Sequence, residues 1–244
     1  MNRKHIIRNL RLNGIIFDEN LSTKDLNEIL NQSKLDAQNK VLRSFNLISG
    51  RGKILVAFNA KNEDSPVDIT IAEDIGKDAW TGEGIELKDI QNALDLITPR
   101  TRPLNFLIDS PGGSYNVGCS IHNLLSTWPG VINKTIIGVA ASTASWMIPA
   151  DKTFAYKNSQ IFMHRAMAGQ YGNRDDMQDA IVFLDKCDSQ ISEMYADQTG
   201  NDQDEMLNLM KAETLLTGKD ALSNGMVDEL IDGEAKNQFS PEWM

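Results

Sequence analysis

The sequence has little of what marks several large protein classes. Its 244 residues include two cysteines, Cys119 and Cys187, far apart and in no C-x-x-C pairing, so neither a disulfide framework nor a zinc site is expected. Positive charge is in the minority: 24 Lys and Arg stand against 34 Asp and Glu, a formal charge of -10. A nucleic-acid partner, which needs a basic face, is therefore not expected. Long apolar runs are missing too. The longest, 135–150, is short for a bilayer span and is broken by Ser142, Thr143, Ser145 and Pro149, so no membrane partner is expected. Near the start, Arg8, Asn9, Arg11 and Asn13 interrupt any stretch that could serve as a signal-peptide core, which leaves a reducing cytoplasm as the expected compartment. Low-complexity tracts are absent, and histidine is scarce, at three residues.

What is there suffices for a core, since 41% of the residues are apolar. Residues 1–52 read as a polar arm or appendage with one helix, opened by Ser22, Thr23 and Asp25 and carried by Leu26, Ile29 and Leu30. Residues 53–232 read as the main domain and 233–244 as a polar tail. Within the domain, 53–58 and 67–71 carry strand patterns, the second alternating strictly between apolar and polar. A helix over 85–97, ended by Pro99, leads to a strand over 104–108, a DSPGG turn at 109–113 and a helix through Val117, Ile121 and Leu125. Strand and turn recur with a strand over 131–139 and a helix expected from Ala140 to Ile148, followed by strands over 153–156 and 160–163. A long helix from about Asn173 carries an apolar stripe of Met177, Ala180, Ile181, Leu184, Ile191 and Met194, which requires a partner surface. Repeated strand and helix units imply a layered α/β fold.

Chemistry can reside at three places. Ser142 follows a buried strand and opens a helix, which puts its hydroxyl at the positive end of a helix dipole beside free N–H groups; it reads either as a nucleophile or as a plain helix cap. Of the histidines, His5 lies in the arm and His122 inside a helix, where a structural role is expected, while His164 ends an apolar strand at the start of a loop, a position suited to a general base. Gly112 and Gly113 let backbone N–H groups approach a ligand closely enough to hold an oxyanion.

Taken in order, IDSPGG at 108–113, GVAAS at 138–142, FMH at 162–164 and ALSNGMVD at 221–228 resemble the ClpP-type serine peptidases, and the segment 74–84 is similar to the phage ClpP-like head maturation proteases. The resemblance implies a ClpP/crotonase-like fold of repeated ββα units with a handle helix at about 173–197, through which a homo-oligomer assembles. It implies Ser142 as nucleophile in preference to Ser145, His164 as base, and the N–H groups of Gly113 and Thr143 as the oxyanion hole. The family's Asp falls near Leu209, which cannot orient a histidine; Glu213 is the nearest replacement, with Asp202, Asp204 and Glu205 as alternatives. No metal or organic cofactor is implied. The implied substrates are scaffold or capsid polypeptides within a phage prohead in the bacterial host cytoplasm. Three other readings stand beside this one: a housekeeping Clp proteolytic subunit with an ATPase partner, a crotonase-like protein holding an acyl-CoA enolate, and an inactive assembly module.

Overall fold

The computed structural model describes residues 3, 21–29, 43–49, 52–58, 65–77 and 82–231. Most of the arm expected over 1–52, and the tail expected over 233–244, lie outside the described residues. A short helix, α1, covers residues 23–29, with Ser22 and Asp25 bonded to one another at its start and Leu26 buried. Among the described residues nine strands form one sheet: β1 (Arg43–Ser49), β2 (Gly52–Phe58), β3 (Val67–Ile71), β4 (Leu104–Ser110), β5 (Ile132–Ala141), β6 (Lys152–Tyr156), β7 (Gln160–Met163), β8 (Thr214–Thr217) and β9 (Glu229–Ile231). The main path runs β1-β2-β3-β4-β5-β6-β9, antiparallel at first and parallel from β3 onward.

Among the described residues six helices follow α1: α2 (Leu87–Asp95), α3 (Tyr115–Leu125), α4 (Thr143–Trp146), α5 (Arg174–Thr199), α6 (Gln203–Lys211) and α7 (Gly218–Ser223). The expected α/β architecture is present, with the alternation of β3 giving Val67, Ile69 and Ile71 to a core shared with Phe106, Ile108, Ile136 and Trp146.

Strand β5 decides where a site can form. Its first half pairs with β6, whereas Val139, Ala140 and Ala141 pair with Gln160, Ile161 and Phe162 of β7. The sheet thus forks along β5, and β7 continues the second branch into antiparallel β8. This pairing corrects the helix start expected at Ala140: Ala140 and Ala141 are strand, and the helix shrinks to the four residues of α4. Between β4 and β5 the register shifts past Ile108, and the Asp109 carboxylate fills the gap by accepting from Val139 N–H at 3.0 Å.

Candidate active site

Ser142 stands where β5 turns into α4. Its N–H donates to the Phe162 carbonyl at 2.9 Å, continuing the β5–β7 ladder by one bond, while its own φ of 52° and ψ of -129° break the strand at once. Among described residues only Ser142 and Glu213 combine a side chain with positive φ. Such a backbone costs about 1–3 kcal/mol and persists only where its surroundings enforce it. Here the DSPGG turn does so. A Cβ added at Gly112 would lie 2.4 Å from the Ala141 oxygen and 2.7 Å from Ser142 Cβ, so the turn and the strand end touch backbone to backbone. Thr143 Oγ1 donates to the Gly113 carbonyl at 3.0 Å and locks the two together. The N–H groups of Gly113 and Thr143 donate to no described acceptor, and Thr143 is the first residue of its helix.

His164 follows Met163, the last residue of β7, so Ser142 and His164 leave neighbouring strands at the same end of the fork. Its ring stacks on Phe162 with centroids 5.4 Å apart, and its Nδ1 lies 2.7 Å from the Arg165 carbonyl. A carbonyl only accepts, so Nδ1 carries the proton and Nε2 keeps its lone pair, the tautomer a general base requires. Ser142, His164, Gly113 and Thr143 all line one cavity of about 380 Å³, with Tyr115, Trp146 and Ile191 as its apolar wall. No hydrogen bond joins Ser142 Oγ to the imidazole.

The remaining candidates from the sequence are placed elsewhere. Ser145 is buried, with its Oγ bonded to the Tyr195 hydroxyl at 2.5 Å. His122 sits half-buried on α3, and burial depresses its pKa. His5 lies outside the described residues. Asp202 caps α6 by accepting from the N–H groups of Asp204 and Glu205.

A sequence profile of the Clp protease family matches residues 89–234, more than half of the chain and all of the strands and turns that build this cavity. The chain belongs to the Clp protease family. It is also 28% identical over 132 residues to an ATP-dependent Clp protease proteolytic subunit of Ligilactobacillus salivarius (strain UCC118), an alignment covering 53% of this chain and 67% of that one. Membership of the Clp protease family supports a ClpP-type serine peptidase.

Within this family framework the acidic partner of His164 is the least regular part. Met163 pairs with Thr214 as the last pair of the antiparallel β7–β8 ladder, and His164 and Glu213 each stand just beyond that end, Glu213 in a turn. Both residues line a second cavity of about 280 Å³, which shares His164, Arg165, Ala166 and Met167 with Ser142's cavity. Asp188 on α5 lines it too; its carboxylate accepts from Ala166 N–H at 2.7 Å, and burial raises its pKa against the lowering effects of that bond and of Arg165 and His164. Sequence reading missed Asp188. The signal was a carboxylate on the buried stripe of the long helix, between Leu184 and Ile191, where a charge needs a reason.

Proposed function

We propose that this chain is a serine endopeptidase in which Ser142 attacks the substrate carbonyl and His164 is its base. The observation that carries the reading is the strained turn at Ser142, held at one mouth of a cavity that His164 and two free N–H groups also face. In the first step the Ser142 Oγ–C bond forms while its proton passes to His164 Nε2, and the oxyanion is held by the N–H groups of Gly113 and Thr143. Collapse breaks the C–N bond, and the proton returns to the leaving amine. Water then repeats the sequence on the acyl-enzyme, with His164 again taking the proton. Glu213 is the proposed acid, its carboxylate taking over Nδ1–H from the Arg165 carbonyl to orient the imidazolium. Tyr115, Trp146 and Ile191 would receive an apolar side chain beside the scissile bond.

The finer role we propose is maturation of phage heads, with scaffold or capsid protein as substrate, inside proheads in the host cytoplasm. Its support is the similarity of segment 74–84 to such enzymes. A second reading is favoured by the name of the Ligilactobacillus relative: an ATP-dependent proteolytic subunit served by an ATPase. One experiment tests the chemistry and separates the roles. Fluorophosphonate labelling and cleavage of co-expressed capsid protein are measured for the wild type, Ser142→Ala, Ser145→Ala and His164→Ala. Ser142→Ala and His164→Ala are expected to lose at least about 10³-fold in cleavage, with Ser145→Ala still labelled. Unimpaired cleavage by Ser142→Ala refutes the nucleophile, and cleavage that requires an added ATPase favours the second reading.

A further inference from the structure

Helix α4 has a buried cation beneath it. Lys134 on β5 is 3% exposed and donates from Nζ to the Ser145 carbonyl at 3.0 Å and to Gln198 Oε1 at 3.1 Å. Gln198, on α5, donates in turn to the Trp146 carbonyl at 2.5 Å. Together they satisfy the last carbonyls of a helix too short to bond them internally. No described carboxylate lies within ion-pair distance of Lys134. The charged and titratable groups that act on it are Asp228 from the turn before β9 and His122 on α3, with Asp197 of α5 beside His122. An apolar side chain would fill such a place at lower cost unless the charge were used.

We infer that Lys134 is a positioning residue for the nucleophile, anchoring the C-terminal end of α4 and presenting a fixed positive charge behind the oxyanion site at the other end. The inference rests on the peptidase reading above. A four-residue helix is about 6 Å long, which sets the ammonium about 10 Å from the reacting oxygen. At that range, in a medium of effective dielectric about 20, a buried charge is worth about tenfold in rate.

Burial pulls the Lys134 pKa down to about 8, with Asp228 acting in the opposite sense. A neutral amine keeps two N–H donors, enough for the Ser145 carbonyl and Gln198, so alkaline titration removes the charge and leaves the anchoring bonds in place. That separation makes the charge measurable on its own. The rate of Ser142 labelling by a fluorophosphonate is followed in the full chain from about pH 7 to about pH 9.5. The wild type is expected to lose about tenfold relative to Lys134→Arg, whose guanidinium stays charged throughout. Lys134→Met is expected to be about tenfold slower than the wild type at the lower end, with no alkaline decline of its own. Wild type, Lys134→Arg and Lys134→Met sharing one pH profile would overturn the inference. Should Lys134→Met not fold, wild type against Lys134→Arg decides alone. A wild type that labels normally while the profiles coincide rejects only the role of Lys134; a wild type that never labels at Ser142 removes the peptidase reading and this inference with it.

Discussion

At the scale of single residues, the acid question turns on two carboxylates that share one cavity with His164 but do different things. Glu213 is exposed, carries positive φ and lies just past the end of the β7–β8 ladder, lining the cavity that His164 also lines, and its carboxylate has no hydrogen bond among the described residues. Asp188 is 7% exposed and already accepts from Ala166 N–H, which ties the loop after His164 to the long helix. Glu213→Gln is therefore expected to lower kcat by roughly 10²–10⁴-fold with little change in thermal midpoint, because it removes charge from an imidazolium formed only during reaction. Asp188→Asn keeps an acceptor for Ala166 and is expected to cost less than about tenfold in kcat. Steady-state kinetics on a peptide substrate, with melting curves for both variants, check the assignment; a larger loss in Asp188→Asn would transfer the orienting role to that residue. The same scale gives a packing prediction. Gly112→Ala places a methyl 2.4 Å from the Ala141 oxygen and forces a φ of 92° on alanine, so labelling of Ser142 should fall and the melting temperature drop, both readable in one preparation.

At the scale of elements, the fork of β5 explains what could and could not be read from the chain. The strand, the DSPGG turn, the long helix and the place of His164 follow from local patterns: alternation, glycine pairs and apolar periodicity. The end of β5 does not, because Ala140 and Ala141 have no local preference strong enough to mark a strand, and their pairing with Ser110 of β4 and with Ile161 and Phe162 of β7 makes them one. The positive φ of Ser142 and Glu213 is equally hidden, since it is imposed by neighbours distant in sequence. Lys134 occupies an inward position in β5 that reads as a polar interruption, and its use emerges only when α4 and Gln198 are seen above it. His122, on α3 against the same α4 end, adds a pH effect of known sign. Burial, and next the Lys134 charge among the unfavourable influences, lower its pKa, so the unfolded chain binds this proton more readily than the folded one. Stability from this group is thus present above about pH 6.5 and is lost as pH falls below that value. His122→Gln should shrink the drop in melting temperature between about pH 7 and about pH 5; an unchanged drop would mean that the imidazole is solvated in the native state.

At the scale of the whole molecule, the long helix α5 is buried along only part of its length. Cys187, Asp188, Ile191, Ser192 and Tyr195 face the core, but Met177, Ile181, Val182 and Phe183 are 38%, 52%, 44% and 51% exposed. Four large apolar side chains within seven positions, spread around the helix, leave this stretch of α5 apolar on more than one side, as an association segment would be. A second copy of this chain is the partner expected from the handle-helix resemblance, and the charge distribution says how such a contact would respond to salt. Asp175, Asp176, Asp179 and Asp185 flank the patch on the same helix, and the chain as a whole carries a formal charge of -10, so copies repel until that charge is screened. Association driven by apolar burial against like-charge repulsion should strengthen as salt is added, whereas a contact held by ion pairs would weaken. Sedimentation of the wild type at low and high salt is expected to show the larger species gaining at high salt. Val182→Glu with Phe183→Glu, on the side of α5 turned away from its core-facing residues, is expected to shift the distribution to smaller species at both salt concentrations while the far-ultraviolet spectrum stays the same. A variant that sediments like the wild type would remove α5 as the contact, and dissociation of the wild type by salt would replace apolar burial with charge pairing as its cause.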